Sequence, residues 1–79
     1  MKTYIVITTD YKGHVCNVYI EKDIWKAAEY AVIECVNYSQ FVQSESIEIV
    51  EKLNAQESYR DNKVEVNVGP EFFITIWQK

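Results

Sequence analysis

Two residues apart, His14 and Cys16 are the first side chains whose types could do chemistry together, an imidazole base activating a thiol. On a strand they share a face, but a rise of about 3.3 Å per residue separates them by about 6.6 Å. Activation through a hydrogen bond needs about 2.6–3.2 Å, so the spacing argues against a dyad. The carboxylates Glu29, Glu34, Glu45, Glu48 and Glu51 are more numerous. No spacing forces two of them into one apolar cleft, which acid–base work requires. A structural zinc site needs a full set of His and Cys ligands, and His14, Cys16 and Cys35 fall short of one. A glycine-rich phosphate loop and a histidine pair at helical spacing are both missing from the sequence. The expectation is a protein that is not an enzyme, with no catalytic residues, no metal and no cofactor.

Charge then selects among partners. The 79 residues hold 8 Lys+Arg against 12 Asp+Glu, a net charge of −4, which lacks the positive footprint that a phosphate backbone demands. Direct nucleic-acid binding is not expected, although tyrosines and tryptophans can stack on bases. The acid is unevenly placed. The first 26 residues sum to +1, with Lys2, Lys12, Lys22 and Lys26 against Asp10, Glu21 and Asp23. Between Lys26 and Lys52 there is no basic residue and there are five glutamates. A local negative patch steers toward a basic protein surface, including one that itself binds nucleic acid.

The elements that must position these residues follow from periodicity. The length suits one domain over residues 1–79. Residues 2–9 are β-branched and aromatic and read as a strand. A turn over residues 10–13 uses Gly13 for positive φ, and residues 14–21 return. A four-residue loop pairs Ile7 with Cys16, Ile5 with Val18 and Thr3 with Ile20, collecting the aliphatics on one face. Tyr4, Val6, Thr8, Val15, Asn17 and Tyr19 fall on the other. Asp23 then caps a helix over residues 24–37. Its inner stripe is Ile24, Ala28, Ala31, Val32 and Cys35, with Ala27 and Trp25 at the margins, while Lys26, Glu29, Tyr30, Ile33 and Asn37 face out.

The pattern lapses from residue 37 to 44, where Tyr38 and Phe41 read as anchors. Residues 46–53 fit either of two readings: a strand, preferred for the alternation of Ile47 and Ile49, or two helical turns, since Glu, Lys and Leu favour helix. Residues 54–62 read as a loop, and Val64, Val66 and Val68 start the next strand. A three-residue loop sets Val68 against Phe72, Val66 against Ile74 and Val64 against Ile76. It sends Phe73, Thr75 and Trp77 to the opposite face. The expected fold is α+β in the order ββαβββ, an antiparallel-rich sheet of four to five strands with one helix packed on one face.

One helix covers one face, so the other is open. The expected open face carries Tyr4, Val6, Tyr19, Phe73 and Trp77, large side chains where a solvated sheet is normally polar. Two partner-binding surfaces result: an acidic one with Glu29, Tyr30, Ile33 and Glu34 of the helix together with Glu48, and the aromatic sheet face with Tyr4, Tyr19, Phe73 and Trp77. The apolar runs are too short to span a membrane. Met1-Lys2-Thr3-Tyr4 leads into strand-like sequence without a secretory segment. A cytoplasmic protein is expected, with Cys16 and Cys35 as buried free thiols.

The hairpin, helix and later strands resemble the β-grasp order of ubiquitin-like domains. The chain ends Ile76-Trp77-Gln78-Lys79 rather than in the Gly-Gly tail of conjugated members, so conjugation is not implied. In size, acidity and αβ layout the chain also resembles the small acidic inhibitor proteins of phages and mobile elements, of the anti-CRISPR type. That resemblance implies a non-catalytic protein-binding module that occupies a basic surface of nucleic-acid machinery. The alternative is a homodimer or subunit that uses the aromatic sheet face as its interface, with a small enzyme as the remote alternative.

Overall fold

Alternating β-branched and aromatic residues build the first two strands, and a glycine turns the chain between them. The computed structural model describes residues 2–39, 45–55, 63–67 and 71–79, with β1 over Tyr4–Asp10 and β2 over Val15–Glu21. Gly13 takes a φ of 85°, a conformation that costs glycine nothing and most side chains a steric penalty. Asp10 organises the turn around it. Its Oδ1 accepts from the Lys12 and His14 amides, each at 2.9 Å, and its carbonyl oxygen accepts from Gly13 N at 3.0 Å.

The hairpin register differs from the expected one by two residues. Ile5 pairs with Ile20 and Ile7 with Val18, not with Val18 and Cys16. Two causes add. Asp10 N donates to the His14 carbonyl, which shortens the loop to Tyr11, Lys12 and Gly13. The ladder then shifts between Thr8 and Thr9, leaving Cys16 as an extra, bulged residue. A slip of two preserves faces, so Ile5, Ile7, Val18 and Ile20 do share one. Cys16 was expected to point inward and is instead exposed. Val15, expected beside Thr8, sits opposite Thr9.

Asp23 caps α1 (Ile24–Ser39) as its sequence implies, its Oδ1 accepting from Trp25 N at 2.9 Å and Lys26 N at 3.4 Å. Ala27, Ala28, Ala31 and Cys35 lie fully buried on its inner side. Small residues there let the helix approach the sheet closely. Residues 46–53 correct the expected strand: they belong to a second helix, α2 (Ser46–Ala55). Strand alternation would put Ile47 and Ile49 together, but Ile47 is exposed and Ile49 is buried with Val50 and Leu53. The helical spacing of those three defines the inner stripe. Glu48 in the first turn and Lys52 in the last also complement the helix dipole.

Strands β3 (Lys63–Asn67) and β4 (Phe72–Gln78) take the expected register, Val66 opposite Ile74 and Val64 opposite Ile76. The Val68–Phe72 pair, and the expectations for residues 40–44 and 56–62, lie outside the described residues. The strand order is β2-β1-β4-β3 with every adjacent pair antiparallel. The fold is α+β, one open antiparallel sheet with two helices, in the order ββααββ. With a helix in place of the third strand, the β-grasp order is not followed. Both helices contribute to a core over one sheet face, meeting Tyr4 and Val6 of β1, Ile74 and Ile76 of β4, and Val64 and Val66 of β3. Gln78 ties the layers, its side-chain amide donating to the Leu53 carbonyl at 2.8 Å near the end of α2.

Candidate functional site: the uncovered sheet face

Pairing of β1 with β4 decides which side of the sheet the helices cover. Val6 stands opposite Ile76 and Thr8 opposite Ile74, so the even-numbered residues of β1 join the aliphatic face of the β3–β4 hairpin. Ile5 is instead opposite Trp77 and Ile7 opposite Thr75. The side away from the helices therefore carries Ile5 and Ile7 of β1, Val18 and Ile20 of β2, and Phe73, Thr75 and Trp77 of β4. Val15, opposite Thr9, extends it past the bulge. Val15 is 60% exposed, Val18 50%, Ile20 64% and Phe73 41%, while Ile5, Ile7 and Trp77 are half-buried among their neighbours. A solvated antiparallel face is usually polar; this one is apolar across three strands.

Charge enters that face within the strands only on β3. Lys63 and Glu65 are an ion pair there at 3.5 Å, and the Lys63 ammonium lies 5.2 Å from the Trp77 ring centroid. The two charges offset each other, so among the described strand residues the face is apolar with one ion pair on its β3 side.

Several expected site residues are placed elsewhere. Phe73 and Trp77 are on the open face, as expected. Tyr4 and Tyr19 are not: Tyr4 is buried in the core, and Tyr19 lies under the helices. The reason is the β1–β4 register, a non-local pairing that the hairpin sequence does not reveal. Tyr19 stacks on Tyr30 of α1, with ring centroids 4.1 Å apart and planes at 19°. Tyr30 was expected to face out and is half-buried by this contact. The Tyr19 hydroxyl donates to Glu21 Oε2 at 2.8 Å. That bond holds the Glu21 carboxyl below its ordinary range and raises the Tyr19 phenol.

The helix side is also changed. Glu29, Ile33 and Glu48 are exposed as expected, but Glu34 is only 4% exposed. Its Oε1 accepts from Asn17 Nδ2 at 3.1 Å, and the same amide donates to the Tyr30 hydroxyl at 2.6 Å. Glu34 is thus a structural link between α1 and β2, and it leaves the acidic surface to Glu29, Glu45, Glu48 and Glu51. Beside it, burial pushes the Cys35 thiol up, with the Glu34 charge adding to the effect.

The hairpin's chemical candidates do not assemble. The His14 ring Nδ1 faces Asp10 Oδ2 at 3.3 Å, and Cys16 Sγ donates to the His14 carbonyl at 3.8 Å rather than to the imidazole. Among the described residues no three His, Cys, Asp or Glu side chains gather closely enough to hold a metal ion. Nor is any helix among them long and apolar enough to cross a membrane. Compared with known proteins, the chain matches no family model, no curated protein and no solved structure.

Proposed function

We propose that the chain is a non-catalytic protein-binding module whose contact surface is the open sheet face. The observation that carries this reading is the exposure of Val15, Val18, Ile20 and Phe73 on one continuous side of the sheet. Contiguous apolar surface of this kind is costly in water and marks association sites. The two free thiols fit a reducing compartment such as the cytoplasm.

A second reading uses the opposite side of the molecule. Glu29 and Glu48 with Ile33 form an exposed acidic and apolar helix surface, suited to a basic partner as in the small phage and mobile-element inhibitors. Capture from an extract of the native host separates the two. Under the first reading, Val18→Lys and Phe73→Lys abolish capture and a Glu29→Lys/Glu48→Lys double variant retains it, all with unchanged circular dichroism. The reverse pattern would transfer the contact to the helices and sink the sheet-face reading.

A further inference from the structure

Resting on the sheet-face reading, we infer that the occupant of that face is a second copy of this chain, packed sheet on sheet about a two-fold axis. Charge is the first argument. The chain carries −4 overall, so two copies repel at most orientations. The open face is where that cost is smallest, because among the described residues its strands carry only the internally paired Lys63 and Glu65. A basic foreign partner would gain nothing from such a face and would seek the exposed glutamates of the helices instead. An isologous contact needs a surface compatible with itself, and a neutral apolar sheet face meets that condition.

Area is the second argument. Four strands about 4.8 Å apart, with about seven residues rising about 3.3 Å each, give a footprint of about 20 by 20 Å. Side-chain relief raises this to about 500 Å² per copy, less than the roughly 800 Å² per partner of a standard specific interface. A pair then buries on the order of 1,000 Å², the lower end of specific association. The expected dimer is therefore weak and reversible. Two sheets packed this way sit about 10 Å apart, with interdigitated inner side chains.

Edge pairing through an outer strand, β2 or β3, is the competing arrangement. Face-to-face packing needs Ile20 of β2 and Phe73 of β4 alike, whereas an edge dimer depends on one side of the sheet only. Sedimentation equilibrium on the full chain, from low micromolar to near-millimolar concentration, tests the inference with Ile20→Lys on β2 and Phe73→Lys on β4. Wild type should self-associate to a dimer, and each variant should weaken that association at least tenfold while melting cooperatively. Thr75→Lys replaces Phe73→Lys if the latter does not fold. Dimerisation that survives the β4 substitution overturns the face-to-face arrangement. A wild-type chain that stays monomeric overturns the second-copy inference, while capture from host extract independently decides whether the face binds a different protein.

Discussion

Thr8 is the residue whose chemistry fits its surroundings least well. It is fully buried, and its Oγ1 has no hydrogen-bond partner among the described residues. A buried, unpaired hydroxyl costs about 1–3 kcal/mol, and an apolar group of the same shape removes that cost. Thr8→Val should raise stability by about 1 kcal/mol, read as a Tm about 4–8 °C higher. A lower Tm would mean that the hydroxyl is satisfied in solution. Asp10 shows the opposite case, a polar group whose partners are all supplied. The His14 amide, first among several donors, holds its carboxyl below the ordinary value of 3.8. A depressed carboxylate stabilises the fold above its unfolded pKa, and that contribution disappears as pH falls through the folded value. The stability difference between wild type and Asp10→Asn should therefore be present at neutral pH, start to shrink as the pH falls through about 4, and vanish only below the depressed folded value. A difference independent of pH would assign the effect to turn geometry instead.

Among the elements, α2 depends on an inner stripe of three residues, Ile49, Val50 and Leu53, and the contrast between Ile47 and Leu53 distinguishes helix from strand. Ile47 is exposed and Leu53 is fully buried. Leu53→Ala should cost about 2–5 kcal/mol in chemical denaturation, and Ile47→Ala should stay within about 0.5 kcal/mol. Equal costs would contradict the helix. The sequence spells out much at this scale because the signals are local: Asp23 before α1, Gly13 in the turn, and the alternation of Val64 and Val66 against Ile74 and Ile76. Residues 46–53 misled because Ile47 and Ile49 fit a two-residue period, while Ile49, Val50 and Leu53 fit a helical one equally well. Which face of β1 is covered was not legible for a different reason. It is fixed by the pairing of Val6 with Ile76, some seventy positions apart, and no local feature of either strand encodes it. Half of the expected sheet-face site, Phe73 and Trp77, survives because the β3–β4 register could be read from one hairpin. Tyr4 and Tyr19 do not, since they depend on the distant pairing.

For the whole molecule, the two sides are chemically unlike. The helix layer presents Glu29, Glu45, Glu48 and Glu51, and the sheet presents Ile20, Val18 and Phe73 around a balanced Lys63–Glu65 pair. The net charge of −4 thus resides mainly away from the sheet face, which allows association there and disfavours it elsewhere. Isoleucine methyl groups sample each surface separately: Ile5, Ile7 and Ile20 on the sheet face, Ile33 and Ile47 on the outside of the helices, and Ile49, Ile74 and Ile76 in the core. The most direct measurement is a concentration series of methyl NMR spectra on the isoleucine-labelled chain, from micromolar to near-millimolar. Saturable shifts at Ile5, Ile7 and Ile20, with Ile33 and Ile47 unchanged, are the predicted result. Shifts confined to Ile33 and Ile47, or no shifts at any isoleucine, would contradict the sheet face as the surface where this chain meets its own copy.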